Sequence, residues 1–337
     1  MTIDEIEAAH ERSQPIPARD PVYARMEYPL RRMLYPLGFP VEISTNAQEV
    51  LDFAAEGWGA FTQLFQTPPI HIHVGVVGTG TAACPPAPSP RVQQQLFSFV
   101  ADQDNYGLID MTHGFAGLWL TQEAIKYRSY VQHFFLECAV VCPIATRFVT
   151  GVHAACVERN GVGVLLCGDS GAGKSTLAYA CAKAGWTYIT DDGSYMVHGH
   201  DDVLVTGNCH QMRFRPSAVS IFPEIGGRQI THRAQSGKPS IALVPATLPG
   251  IRCSQTATIK HAVFLNRRER GNLPLRHYSK EVVRKFLHQA RFSPMERMPE
   301  HFAAIDKLLE LEVLQLRYND LDWAVEQLDS LVENGAP

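Results

Sequence analysis

The chain has 337 residues, of which 45% are hydrophobic and 19% charged, and a formal net charge of -4. That length and composition allow two ordinary cores or one large one, and they exclude a disordered chain. The acidic balance argues against a general nucleic-acid binder. The opening "MTIDEIEAAHERSQ" is charged and polar, unlike a signal peptide. The longest apolar candidate, "HFFLECAVVCPIA", is short, contains Glu137 and is broken by Pro143, so no membrane span is expected. The expectation is a soluble, cytoplasmic protein.

Residues 1–20 read as a loose leader, with Pro15 and Pro17 opposing a helix. "NAQEVLDFAAEGWGAFTQLF" has helical spacing with Asn46 as its N-cap. "IHIHVGVV" reads as a strand, with His71 and His73 on one face as ordinary strand residues rather than metal ligands. "GTAACPPAPSPR" reads as a loop or linker, "QQLFSFVAD" and "GLIDMTHGFAGLWLT" as strands, and "YRSYVQHFFLECAVVCPIATRFV" as one long buried helix. The composition then changes. "HAACVE" and "VGVLLC" are short apolar strands parted by a turn at Asn160 and Gly161. "KSTLAYACAKA" is helical by propensity and stops at Gly185 in a left-handed cap. "WTYIT", "VLVTG", "QMRFRP", "SIALVP" and "IKHAVFLN" read as strands. The tail alternates: helices near 280–290 and 299–311, the strand "VLQLRY", and a helix over 319–333. The boundary falls near residue 150, between an N-terminal α+β region (1–150) and a C-terminal α/β domain (151–337). The 8 cysteines lack zinc-site spacing and read as small buried hydrophobes.

Gly168, Gly173, Lys174 and Ser175 complete G-x-x-x-x-G-K-[ST] within "GDSGAGKST", residues 168–176. Glycines let the backbone curl so that its N–H groups converge on phosphates, and the following helix adds its positive end. The binding loop is therefore Gly168, Asp169, Ser170, Gly171, Ala172, Gly173, Lys174, Ser175 and Thr176. Lys174 is suited to the outer phosphates, and the Ser175 hydroxyl to Mg²⁺. ATP and Mg²⁺ are the expected ligands. Asp191 and Asp192 end the strand after the loop helix, where open α/β sheets build their sites. One can hold the metal while the other takes a proton from an attacking hydroxyl. Arg213 and Arg215 alternate onto one strand face, and Arg228, Arg233 and Lys238 lie in a Gly-rich basic loop. Either set can serve a phosphate or an acidic substrate, or be plain surface. "NRRERGNLPLRHYSK" reads as a solvated basic run.

The segment "HAACVERNGVGVLLCGDSGAGKSTLAYACAKAGWTYITDD" resembles the core of HPr kinase/phosphorylase and its relatives, whose fold is related to that of phosphoenolpyruvate carboxykinase. The resemblance covers about forty residues, ungapped from His153 to Asp192. It implies a P-loop kinase fold and transfer of the ATP γ-phosphate to a serine-like hydroxyl of a peptide, protein or metabolite. By the family's pattern Asp191 is the catalytic base and His153 the partner that tunes it. Asp192 and Ser175 are Mg²⁺ contacts, and Glu224 in "FPEIGGR" stands in a place similar to the family's further metal-side glutamate, after a longer connection and without the rest of that signature. Thr176 replaces a usual Glu, and residues 1–150 do not match the family's N-terminal domain, so a divergent kinase-like member is expected. A homo-oligomer stays open. The alternative is a nucleotide-binding ATPase or sensor without an acceptor. The chain has neither an N-K-x-D nor an L-S-G-G-Q element.

Overall fold

A computed structural model describes residues 3–12, 26–78, 83–232, 238–267, 271–289 and 293–336. The fold is mixed α/β; among the described residues two sheets combine parallel and antiparallel pairs and a third, three-stranded one is antiparallel. No helix among the described residues is long and apolar enough to cross a membrane.

The first sheet has seven strands, in the spatial order Leu30–Leu34, Val41–Thr45, Ile70–Val77, Phe115–Thr121, Tyr106–Asp110, Leu96–Val100, Ser89–Gln93. Its centre is parallel: Ile70–Val77 pairs in parallel with both Val41–Thr45 and Phe115–Thr121. Helix Gln48–Trp58 crosses over between the first parallel pair, so the region expected as α+β is built on a mixed sheet. Strand residues such as Ile43, Ile72 and Leu118 pack with Val50 of helix Gln48–Trp58 and Val140 of helix Glu137–Arg147 in one core.

Several expectations change here. Ile3–Glu11 is helical, where a loose leader was expected; Pro15 and Pro17 lie outside the described residues. Ser89–Gln93 is an edge strand within the Pro-rich stretch, where Pro90 is tolerated because an edge leaves one row of N–H groups unused. Asn46 is not the helix N-cap; Ala47 is, without a side-chain cap. The Asn46 amide instead bonds the Val76 backbone in both directions, each at 2.8 Å, which satisfies a strand end. The helix ends at Trp58 rather than running on to Phe65. Beyond it Phe61 turns its ring edge-on to His210, 4.6 Å between centroids. The long helix runs as Arg128–Tyr130, a wide π-helical stretch Val131–Leu136, then Glu137–Arg147.

The second sheet holds the signature segment. Its spatial order is Arg252–Cys253, Thr187–Thr190, Ala154–Arg159, Val162–Cys167, Thr256–Asn266, Leu204–Gly207, Ser194–Val197, Val149–Val152. The long strand Thr256–Asn266 forks the sheet. Its first residues pair with Leu204–Gly207 antiparallel, and its later ones pair with Glu312–Arg317 in parallel. Successive residues of Val162–Cys167 enter different cores. Val164 and Leu166 meet Leu177, Leu316 and Leu328 on one side; Leu165 and Cys167 meet Val283, Ile305 and Leu308 on the other. Burial on both faces is why this strand reads as an unbroken apolar run instead of alternating.

The C-terminal helix Leu321–Asn334 is pinned to the signature strands through one carboxylate. Asp329 Oδ1 accepts from Arg159 Nη1 at 2.5 Å and from Trp186 Nε1 at 2.8 Å, and Trp186 is fully buried. Asp329→Ala leaves a buried indole N–H without an acceptor. It should cost about 2 kcal/mol of stability in urea unfolding; an unchanged midpoint would show that the contact contributes nothing.

Candidate functional site

The strand Val162–Cys167 leads into the glycine loop and then into helix Lys174–Lys183. Gly168, Gly171 and Gly173 all have positive φ, at 142°, 91° and 97°. At Gly173 a Cβ would stand 2.5 Å from the Tyr318 hydroxyl, so both conformation and space require glycine there. Lys174 is 6% exposed, and its Nζ donates to the carbonyls of Gly168 at 2.8 Å and Asp169 at 3.3 Å. Among the described residues it forms no ion pair with a carboxylate. Burial pulls its pKa down, while the charge of Asp192 acts against that pull. A buried ammonium held only by carbonyls, beside a left-handed glycine loop and a helix N-terminus, is a donor set that fits an anion. Ser175 follows at the start of the helix, where its hydroxyl donates to the Asp191 carbonyl at 3.5 Å; Thr176 is half-buried beside it. The strand ends at Phe214, so Arg215 caps the next helical turn instead of sharing a strand face with Arg213, and its Nη2 donates to Ser170 Oγ at 3.3 Å.

Asp191 and Asp192 leave the end of strand Thr187–Thr190 in different directions. Asp191 is 6% exposed; its Oδ1 accepts from the Tyr188 hydroxyl at 3.2 Å and its Oδ2 from the Arg213 N–H at 3.1 Å. Burial lifts its pKa to about 6, with the neighbouring Asp192 charge adding to the rise and the Arg213 N–H opposing it. Asp192 is half-exposed, and His153 Nδ1 lies 3.1 Å from its Oδ1 and 3.1 Å from its carbonyl oxygen. His153 therefore contacts Asp192, where the family pattern pointed to Asp191.

Glu224 does not join them. Its carboxylate accepts from Lys183 Nζ at 2.6 Å and from the Tyr179 hydroxyl at 3.3 Å. Lys183 closes the loop helix eight residues after Ser175, about 12 Å along the axis. The helical turn at Pro223–Ile225 folds around the far end of that helix, so the metal-side placement of Glu224 is corrected. Arg213 bonds Gln211 Oε1 through its side chain. Arg228 and Lys238 are exposed, and Arg233 lies outside the described residues. His71 sits 3.5 Å from Glu42, and His73 meets the rings of Tyr28 and Phe115.

Two cavities meet this apparatus. The first, about 410 Å³, is lined by loop residues 168–172, by Asn266 and Arg267, and by an apolar wall that includes Phe264, Tyr278, Val283 and Phe286. The second is a groove of about 720 Å³, lined by Asp191, Asp192 and His153 and, from the first 150 residues, by Phe53, Trp58, Phe61 and Glu137. The sequence gives no local sign of these last four, because they belong to segments that read as helix interior.

No family model matches the chain, and no curated protein matches it. Among solved structures, the HPr(Ser) kinase/phosphatase from Coxiella burnetii aligns with 55% of this chain and 95% of that chain, at 15% identity and a TM-score of 0.31. A likeness of that size assigns no residue.

Proposed function

We propose that the chain is an ATP- and Mg²⁺-dependent kinase that transfers the γ-phosphate to a hydroxyl of an acceptor seated in the groove. The observation that carries this reading is that the loop and the aspartate pair face two different cavities, one at the phosphate loop and one beyond the carboxylates. A hydrolase needs room only for water at the second position; a transferase needs room for a second substrate.

The residues divide the work. The loop and Lys174 cradle the phosphates and neutralise their outer charge. The apolar wall at Phe264, Val283 and Phe286 suits the nucleobase. Ser175 and the buried Asp191 would hold Mg²⁺, which would supply charge neutralisation for the phosphates. Asp192, half-exposed in the groove and held by His153, takes the acceptor proton. The acceptor oxygen bonds to the γ-phosphorus, the bond to the β–γ bridging oxygen breaks, and ADP leaves. This assignment exchanges the roles expected for the two aspartates, because the histidine contact lies on Asp192.

The test uses γ-labelled ATP, Mg²⁺ and a fractionated extract of the source cells. Label should move to a discrete acceptor with the wild type and not with Asp192→Asn. Glu224→Gln should transfer as the wild type does, since its carboxylate is tied to Lys183 at the far end of the loop helix. Label found only as free phosphate would overturn the kinase reading.

A further inference from the structure

The groove carries a charge pattern that transfer chemistry alone does not need. Four carboxylates face it, Glu56, Glu137, Asp191 and Asp192, against one guanidinium, Arg213. Most of these charges are engaged. Glu56 accepts from Arg128 at 2.8 Å and from Gln132 at 3.3 Å. Asp191 is bonded by Tyr188 and Arg213, and Asp192 by His153. Arg213 sits at the catalytic end, with its backbone on Asp191 and its side chain on Gln211.

Glu137 is different. It begins helix Glu137–Arg147, its side chain is 55% exposed, and its contact with the imidazole of His133, one turn back, is long at 3.7 Å. Glu137 and Asp192 act on the same phenol: both negative charges, after burial, help push the Tyr195 hydroxyl up to about 12. Around them stand Phe53, Trp58 and Phe61, whose ring faces attract cations. His210 also lines the groove, and among the described residues its buried Nε2 has no hydrogen-bond partner. An orphaned buried polar atom points to a ligand that supplies the missing bond.

We propose that the phosphoryl acceptor is a small hydroxyl compound that also carries an ammonium group, of the amino-alcohol or amino-sugar class. Its ammonium lies at Glu137 and its reacting hydroxyl at Asp192. This rests on the kinase reading and adds a substrate class to it. The groove's volume of about 720 Å³ is that of a small-molecule site. The ammonium keeps its charge throughout; only the hydroxyl proton and the phosphoryl group move. Glu137 acts here as a specificity residue, remote from the phosphorus.

The test measures binding without nucleotide, by ligand-detected NMR on the full chain, using matched probes: glucosamine against glucose, and serinol against glycerol. The amine of at least one pair should bind about tenfold tighter than its neutral partner, the size expected of one charge-assisted contact. Glu137→Gln should remove that difference, and Glu137→Asp should keep most of it. The proposal is overturned if neutral partners bind equally, if Glu137→Gln leaves the preference intact, or if no amine binds. It is also overturned if only a lysine-flanked serine peptide binds, which would make the acceptor a peptide. Because no phosphoryl transfer is involved, a failure here leaves the kinase reading to the label experiment, and a failure there leaves this binding result standing.

Discussion

Lys174→Met should abolish ATP-dependent transfer while leaving the stability of the nucleotide-free protein unchanged or raised. The two halves of this result have one cause. The ammonium is 6% exposed and, among the described residues, bonded only to the carbonyls of Gly168 and Asp169. Burial penalises its charge, and the nearby Asp192 only partly offsets the penalty. A methionine keeps most of the aliphatic stem and removes the buried charge, so the nucleotide-free protein loses a desolvation penalty and little packing. With nucleotide the balance reverses, because the ammonium is the group that meets the outer phosphates. At a nucleotide concentration 100 times its Kd, binding adds about 2.7 kcal/mol to wild-type stability. Thermal unfolding with and without MgATP reads both effects. The wild type should gain stability with MgATP and Lys174→Met should gain none. A variant that unfolds more readily without nucleotide would make Lys174 a structural residue. A retained MgATP shift would remove it from the phosphate site.

Local physics explains which parts of this arrangement could be read from the sequence. "VGVLLC" is legible as a doubly buried strand because Val164 and Leu165 enter separate cores, so no polar residue interrupts the run. The loop is legible because Gly168 and Gly173 need left-handed backbone at fixed offsets from a lysine and a serine. The partner of His153 is not legible in the same way. Two adjacent carboxylates at a strand end can turn either way, and the turn is decided by Tyr188 and the Arg213 backbone, which claim Asp191. Glu224 misled for a different reason. Its position in the chain resembled the family's, but a pairing with Lys183 and Tyr179 draws it to the wrong end of the helix. The groove is least legible of all. Trp58 and Glu137 come from elements that pack on the first sheet, and only the docking of that sheet against the second brings them to Asp192. Thr206, whose hydroxyl donates to the Leu37 carbonyl at 3.0 Å, and Gln255, whose side chain bonds Thr62, fasten the two together.

The two aspartates should separate cleanly on substitution. Asp192→Asn should lower turnover by about 10² to 10⁴, the usual worth of a general base, with the Mg²⁺ requirement unchanged. His153→Ala should follow it in kind with a smaller loss. Asp191→Asn should instead raise the Mg²⁺ concentration needed for activity, and it should leave a mark on stability. The Asp191 carboxyl is pushed up to about 6 in the folded protein, mainly by burial, from an ordinary value of 3.8. A raised acid holds its proton more tightly folded than unfolded. Between about pH 4 and pH 6 the native state therefore binds more protons, and stability falls as pH rises through that window. The full penalty above pH 6 is about 3 kcal/mol. Asparagine carries no such charge, although it can accept only one of the two hydrogen bonds from Tyr188 and Arg213. The stability of Asp191→Asn relative to wild type should thus be about 2 kcal/mol more favourable at pH 7.5 than at pH 4.5, in urea titrations of both proteins. A difference that does not change with pH would mean that Asp191 ionises normally. If instead Asp191→Asn removes turnover at unchanged Mg²⁺ requirement and Asp192→Asn raises that requirement, the two roles exchange. Asp191 would then be the base, and the His153 contact would serve to hold the metal-side carboxylate in place.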